Sequence, residues 1–263
     1  MPRLNWGAPG ARTFEVGIDR GVLYVDDQPG VVWNGLSSVN ESPSGGDAQP
    51  FYLDGVKYIN VSSSEEFQAT IEAYTYPDEF EPCEGNLSFF NGLFVTQQPR
   101  ASFGLAYRTK IGNDIAGADL AYKIHLIYNA LAAPADRTNK SIAASTDLSA
   151  FSWTITTRPP AIDGFKRTSH FIIDSRYTNP LALDAIESVL YGDDDDTARL
   201  PSVEELLNIF TVNSEFSVVD NMDGSFTATG PDDIVTQIDS TTWEISTPAV
   251  RFLGDDLYEI ITQ

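Results

Sequence analysis

Apolar and polar residues alternate with a period of two over much of the first 175 residues. Phe67, Ala69, Ile71 and Ala73 alternate with Gln68, Thr70 and Glu72, and Phe103, Leu105 and Tyr107 with Gly104, Ala106 and Arg108. Tyr122, Ile124, Leu126 and Tyr128 alternate with Lys123 and His125, and Phe151, Trp153 and Ile155 with Ser152, Thr154 and Thr156. Successive side chains of an extended strand leave opposite faces, so each run predicts a strand with its apolar set on a core and the other set outward. The runs are rich in the β-branched and aromatic residues that suit a half-buried pleated surface. Clusters of Pro, Gly, Asn and Asp at Asn40–Asp47, Pro77–Gly85, Gly112–Asp119 and Ala133–Asp147 read as the turns between them. Together these features predict an antiparallel sandwich or barrel.

The period changes after residue 178. Asn179 as N-cap, Pro180 at the first helical position and Gly192 just past the end bracket Ala182, Ala185, Ile186, Val189 and Leu190, which form one helical stripe. Ser202 with Glu205 three residues on is a capping box for a second, short helix with Leu206, Leu207 and Phe210 on its apolar side. From residue 214 onward short strands return: Phe216–Asp220, Phe226–Thr229, Val235–Ile238, Trp243–Ser246, Val250–Leu253 and Leu257–Ile261. The chain thus divides into an N-terminal arm (residues 1–13), a main β-domain (14–200), a short helix and linker (201–213) and a small C-terminal β unit (214–263). Leu4 and Trp6 are apolar anchors on an otherwise Pro-, Gly- and Arg-rich arm.

Charge narrows the partners. The net charge is −22, unevenly spread: residues 1–180 hold 20 acidic and 14 basic side chains, and residues 181–263 hold 18 acidic and 2 basic. No Lys/Arg cluster offers the phosphate contacts that tight nucleic-acid binding needs. No apolar run approaches the ~20 residues of a membrane-spanning helix. The opening MPRLNWGAPG lacks the apolar core of a secretory signal, so assembly in a cytoplasm is the expectation.

Candidate chemistry is sparse. The sequence has no GxSxG, P-loop or GxGxxG motif, and its two histidines, His125 and His170, stand in neither HxxxH nor HExxH. Cys83 is the single cysteine, with no flanking signature of a nucleophile and base, and it reads as a loop cysteine. The acidic run Asp193–Asp196 reads as a solvated loop before a cation site, and Asp220–Ser225 as a hairpin turn before a calcium loop. The expectation is a non-enzymatic chain with no catalytic residue, cofactor or metal.

Longer ordered stretches carry more information. EVGIDRGVLYVDDQPGVVWNGLSSVNESPSGGDAQPFYLDGVKYIN is followed by SSSEEFQATIEAYTYPDEFEPCEG, then by FGLAYRTKIGNDIAGADLAYKIHLIYNALAAP, FSWTITTRP and LPSVEELLNIF. These resemble the major tail proteins, or tail tube proteins, of long-tailed bacteriophages with non-contractile (siphovirus-type) tails, over roughly residues 12–210. The resemblance implies a mainly β fold: a tail-tube β-sandwich or barrel with a flanking α-helix, here with a small C-terminal β appendage. It implies a structural virion protein, made in the host cytoplasm and located in the tail. Copies would form rings, usually of six, that stack into the tube conducting DNA at ejection. The implied partners are the chain itself, the tape measure protein, the tail terminator and the distal tail protein, with DNA passing through the lumen unbound. A carboxylate-lined lumen would let phosphates slide.

On this reading the loop Asn40–Asp54 and the arm become candidates for contacts between rings, which singles out Leu4, Trp6, Asn40, Glu41, Ser42, Pro43, Phe51 and Tyr52. The alternatives are another virion protein (terminator, distal tail or capsid decoration) and a glycan-binding β-sandwich using Tyr74, Tyr76 and Trp243.

Overall fold

The computed structural model describes residues 7–26, 28–46, 48–62, 64–139, 141, 150–162, 164–193 and 196–214, and the backbone of six short strands beyond them. Strands hold 46% of the chain and helices 15%, which makes the fold mainly β, as the alternation predicts. Backbone contacts define two compact units: Met1–Tyr177 with Ser188–Pro201, and Thr178–Glu187 with Ser202–Gln263.

The first unit contains β1 (Thr13–Val25), β2 (Val31–Val32), β3 (Leu36–Glu41), β4 (Ala48–Leu53), β5 (Val56–Ser62) and β6 (Gln68–Ala73). A 3-10 turn (Asp78–Phe80) then runs into the one-turn helix α1 (Glu81–Glu84), followed by β7 (Leu87–Phe90), β8 (Leu93–Val95), β9 (Phe103–Asn113), β10 (Gly117–Ala132), β11 (Phe151–Thr157) and β12 (His170–Asp174). Eight of these strands form one antiparallel sheet in the order β2-β1-β9-β10-β11-β6-β3, with β12 also on β10. The two ends of that path, β2 and β3, are consecutive in sequence and joined only by Trp33–Gly35. The four Cα steps from Val32 to Leu36 reach about 14 Å at most, so the sheet has to curl until its edges approach. Trp33 sits at the seam, its backbone N–H donating to Gly21 O at 2.8 Å and its indole N–H to Thr75 O at 2.9 Å.

The core fills the inside of this curl. Leu23, Ile71, Phe103, Leu105, Ile127, Trp153 and Ile155 are buried there with Trp33 and Phe80. Phe80 packs on Trp33, Trp153 and Phe103 with ring centroids 4.9, 5.1 and 5.2 Å apart. It comes from Pro77–Gly85, which the composition marks as a plain turn. In the structure this segment is a plug: the short helical turn inserts Phe80 and Cys83 into the core. Gly85 ends α1 at φ +83, and a Cβ there would lie 2.6 Å from Gln98 O, so glycine is required.

Alternating burial is seen in β6 and β11, where Ala69, Ile71, Ala73, Trp153 and Ile155 are inside. It fails in β10, where Ile124 through Tyr128 are all buried. His125, expected outward beside Lys123, faces inward with Ile127. Ile124 and Leu126 lie on the opposite face, which is also covered. On that face of the sheet Tyr24 donates its hydroxyl to Leu190 O at 2.7 Å, and Leu200 lies against Gly104.

Helix α2 (Pro180–Tyr191) begins as its cap predicts, with the Leu181 N–H donating to Asn179 Oδ1 at 3.0 Å. Ala182, Ile186 and Leu190 are its buried stripe. Helix α3 (Val203–Ser214) has 12 residues, longer than the short helix expected, and its capping serine accepts from the Glu205 N–H at 3.1 Å. Leu206 is buried and Leu207 exposed, so the apolar side is narrower than the sequence suggests. Beyond it three antiparallel hairpins follow: β13 (Ser217–Asp220) with β14 (Phe226–Thr229), β15 (Val235–Gln237) with β16 (Trp243–Ile245), and β17 (Ala249–Gly254) with β18 (Leu257–Ile261). The turn between β13 and β14 lies outside the described residues.

Candidate functional site

Two hairpins stand apart from the main sheet, each a two-stranded sheet of its own. In β4–β5, Phe51, Tyr52, Leu53, Val56, Tyr58, Ile59 and Val61 are all exposed, Tyr58 at 74%. In β7–β8, Leu87, Phe89, Phe90, Leu93, Phe94 and Val95 are exposed, with Phe89 and Phe90 at 66% each. An isolated two-stranded hairpin is marginally stable in water, and a contiguous exposed apolar surface marks a contact site. Asp54 and Gly55, at φ +51 and +76, make the first hairpin's tight turn. Phe-Tyr-Leu-Asp-Gly-Val-Lys-Tyr-Ile and Phe-Phe-Asn-Gly-Leu-Phe are therefore the sequence signals that locate both hairpins, since Asp-Gly and Asn-Gly between apolar residues favour such turns.

The segment Asn40–Asp54, expected as an extended loop, is mostly strand. Asn40 and Glu41 end β3 and pair with Thr70 and Ala69 of β6, and the Ser42 N–H donates to Gln68 O at 2.8 Å. Pro43 lies in the link to β4, and Phe51 and Tyr52 lie on β4. The six candidates from Asn40 to Tyr52 thus fall on one continuous stretch running from a sheet edge into an apolar hairpin. Leu4 and Trp6 lie outside the described residues. The rest of the arm is pinned: the Gly10 N–H donates to Asp114 Oδ1 at 2.9 Å, and Asn113 Nδ2 donates to Gly10 O at 3.2 Å.

The sheet also leaves edges open. Among the described residues β3 pairs only with β6, and the first half of β1 pairs only with β9, with Phe14 and Val16 exposed there. Open edges present unpaired N–H and C=O groups to another strand.

A separate polar cluster lies where β3, β9, β10 and β12 converge. His125 Nδ1 is 3.1 Å from His170 Nε2 and 3.6 Å from Glu41 Oε1, and His170 Nε2 is 3.7 Å from the same oxygen. The Tyr107 hydroxyl donates to Glu41 Oε1 at 3.0 Å, and Thr109 Oγ1 is 3.1 Å from His125 Nε2. The Tyr107 and His125 rings stack 4.6 Å apart, and Phe67 lies 4.6 Å from His170. Burial, reinforced by His170, pulls the His125 pKa down to about 4. Burial also lowers that of His170, with Glu41 opposing. Burial outweighs the carboxylate, so both rings are neutral near pH 7 and the close Glu41 contacts are not ion pairs. Local sequence holds no motif for this cluster; its one trace is that both histidines of the chain are in it.

Of the remaining sequence candidates, Tyr74 is exposed as expected, and Cys83 and Tyr76 are held inside the fold. Cys83 is buried and its thiol is pushed up to about 12, chiefly by burial, so it is no nucleophile. In the acidic run, the Asp196 N–H donates to Asp193 Oδ1 at 2.8 Å and the Asp193 N–H to Asp196 O at 3.0 Å, and Asp194 and Asp195 lie outside the described residues. Tyr76, offered as an exposed sugar platform, is half-buried and stacked edge-on against Phe80, Phe151 and Trp153. The side chain of Trp243 lies outside the described residues.

No protein-family profile matches the chain, and no curated protein matches it. Among solved structures, the sheath/tube terminator of an extracellular contractile injection system in the extended state is similar at 14% identity and TM-score 0.29, over 65% of this chain and 99% of that one. The sheath–tube complex of an extracellular contractile injection system, also extended, is similar at 18% identity and TM-score 0.29, over 59% and 88%. The tube-terminating cap of the anti-feeding prophage is similar at 13% identity and TM-score 0.29, over 66% and 97%. At this TM-score the likeness is too slight to assign a family or an activity.

Proposed function

We propose that this chain is a structural, non-enzymatic subunit of a bacteriophage tail, whose copies join into rings that stack as the tail tube around passing DNA. The observation that carries the reading is the pair of apolar hairpins, β4–β5 and β7–β8, exposed on thirteen large apolar side chains. Burying apolar area on this scale on a neighbouring copy is strongly favourable, at ~25 cal/mol per Å² removed from water. The one-sided edges of β1 and β3 add backbone donors and acceptors that a neighbour's strand can fill. Contacts that repeat head-to-tail and close make a ring, and contacts along the ring axis make a stack. The resemblance in Glu15–Gly85 and beyond to major tail proteins supports the same assignment.

Negative-stain microscopy of the concentrated protein, with light scattering for mass, tests it. Rings and hollow tubes are expected. Rings that never stack would assign the chain to the end of a tube instead of its wall. A protein that stays monomeric at millimolar concentration would overturn the reading.

A further inference from the structure

We propose that Glu41, His125 and His170 form a binding site for one divalent transition-metal ion of the zinc class, which would fasten the edge strand β3 to β10 and β12. The site is independent of whether the chain builds a tube.

The geometry is that of a ligand set. A tetrahedral zinc ion with bonds of ~2.0–2.1 Å holds its donor atoms about 3.3 Å apart. The three separations here are 3.1, 3.6 and 3.7 Å, so an ion at the centre is reached by shifts of about a few tenths of an ångström. All three ligand atoms lie within 4.8 Å of one another. Two imidazoles and one carboxylate suit zinc, cobalt or nickel, while calcium and magnesium take oxygen ligands.

The surroundings fit as well. His125 is buried, the His170 side chain is 10% exposed and that of Glu41 37% exposed, which leaves solvent access on the carboxylate side for entry and for a fourth, water ligand. Metal-bound histidines commonly donate their second ring nitrogen to a fixed acceptor, which sets the tautomer. Thr109 Oγ1 can accept from His125 Nε2–H, which leaves the Nδ1 lone pair aimed at the cluster. Tyr107 holds Glu41 Oε1 by its hydroxyl and His125 by stacking. Without metal, His170 Nε2–H donates to His125 Nδ1. Binding moves that proton to His170 Nδ1, with no change in the charge of either ring.

The placement gives the ion a purpose. Glu41 is the last residue of β3, which among the described residues pairs only with β6. His125 and His170 are on the paired strands β10 and β12, and among the described residues no backbone ladder joins β3 to either. An ion bound there crosslinks the open edge of the curled sheet to its centre.

The test uses the full chain stripped with a chelator and titrated with cobalt(II) and zinc(II) chloride. One equivalent of cobalt should bind with the visible absorption of a tetrahedral N/O site, be displaced by zinc, and raise Tm. Glu41→Gln and His170→Gln, checked for folding by circular dichroism, should each lose the cobalt spectrum and the Tm rise. Tyr107→Phe keeps every ligand and should weaken binding about 10- to 100-fold. Absence of stoichiometric binding by the wild-type chain, or equal binding by Glu41→Gln and His170→Gln, would overturn the proposal. The latter result would mean that the acidic surface collects the ion.

Discussion

If the apolar hairpins are the contacts between copies, trimming one of them should dissolve the assembly while leaving the subunit folded. Phe89 and Phe90 are the clearest targets. Each is 66% exposed, and their rings touch with centroids 4.7 Å apart, so they present one aromatic surface. Fully burying such a side chain is worth ~1.5–3 kcal/mol. Covering the exposed two-thirds contributes about 1–2 kcal/mol each, or about 2–4 kcal/mol for the pair. At 1.4 kcal/mol per factor of ten, the double substitution Phe89→Ser/Phe90→Ser should weaken each contact on the order of 30- to 700-fold. Sedimentation velocity over a concentration series reads that constant directly. The subunit itself should lose less than about 1 kcal/mol in urea unfolding, because surface changes cost little. Tyr177→Ser supplies the control: it removes a side chain 82% exposed outside either hairpin and should leave association unchanged. An association constant for the double variant within threefold of wild type would refute the assignment.

Two further outcomes follow from the interior. Glu84 is buried and accepts from the Trp153 indole N–H and the Arg137 guanidinium; Arg137 keeps the Tyr76 hydroxyl and solvent, so Glu84→Ala strands the buried indole N–H and should cost roughly 1–3 kcal/mol in urea unfolding. Glu84→Gln keeps an acceptor for Trp153 and should cost less; equal losses would show that the indole bond contributes nothing. Alkaline pH should destabilise the fold: burial pushes the Cys83 thiol from 9.0 up to about 12 and raises the Tyr24 and Tyr107 phenols. Their neutral forms are favoured on folding, so stability is fully present below pH 9 and falls as pH rises toward 12, where the unfolded chain has already ionised. Urea midpoints flat from pH 8 to 11 would contradict this, as would reaction of native Cys83 with a thiol reagent at pH 8.

What the sequence disclosed depends on how many faces of each element are wet. β6 and β11 have one face on the core and one outward, so Ala69, Ile71, Trp153 and Ile155 print their period directly. β10 is covered on both faces through Ile124–Tyr128, and the second face of its sheet meets Leu190 and Leu200 at Tyr24 and Gly104, pairs remote in sequence. Nothing within a ten-residue window reports that, which is why His125 reads as outward beside Lys123. Pro77–Gly85 is rich in turn formers because it turns sharply, yet the turn carries Phe80 into the core; composition reports the bend and not its destination. The two hairpins carry turn signals at Asp54-Gly55 and Asn91-Gly92, which the period-two reading passes over in taking Asn40–Asp54 for a loop. The Glu41–His125–His170 cluster was not, because its members are 45 and 84 residues apart and meet only once the sheet curls.

The curl, the hairpins and the charge bear on one another. A chain with net charge −22 repels its own copies, and self-association needs surfaces where that repulsion is weakest. Residues 87–95 carry no charged side chain, and residues 48–62 carry one acid and one base, Asp54 and Lys57. Most of the surplus, 18 acids against 2 bases, lies after residue 180. The exposed apolar surface and the excess charge are thus segregated along the chain. On the proposed reading, the neutral hairpins meet while the acidic segments repel, and salt favours assembly. Raising the ionic strength from 0.01 to 0.15 M shortens the screening length from about 30 to about 8 Å, which removes repulsion and leaves apolar burial intact. An interface built on opposite charges would respond in the other direction, so the sign of the salt effect reports which force holds the copies together.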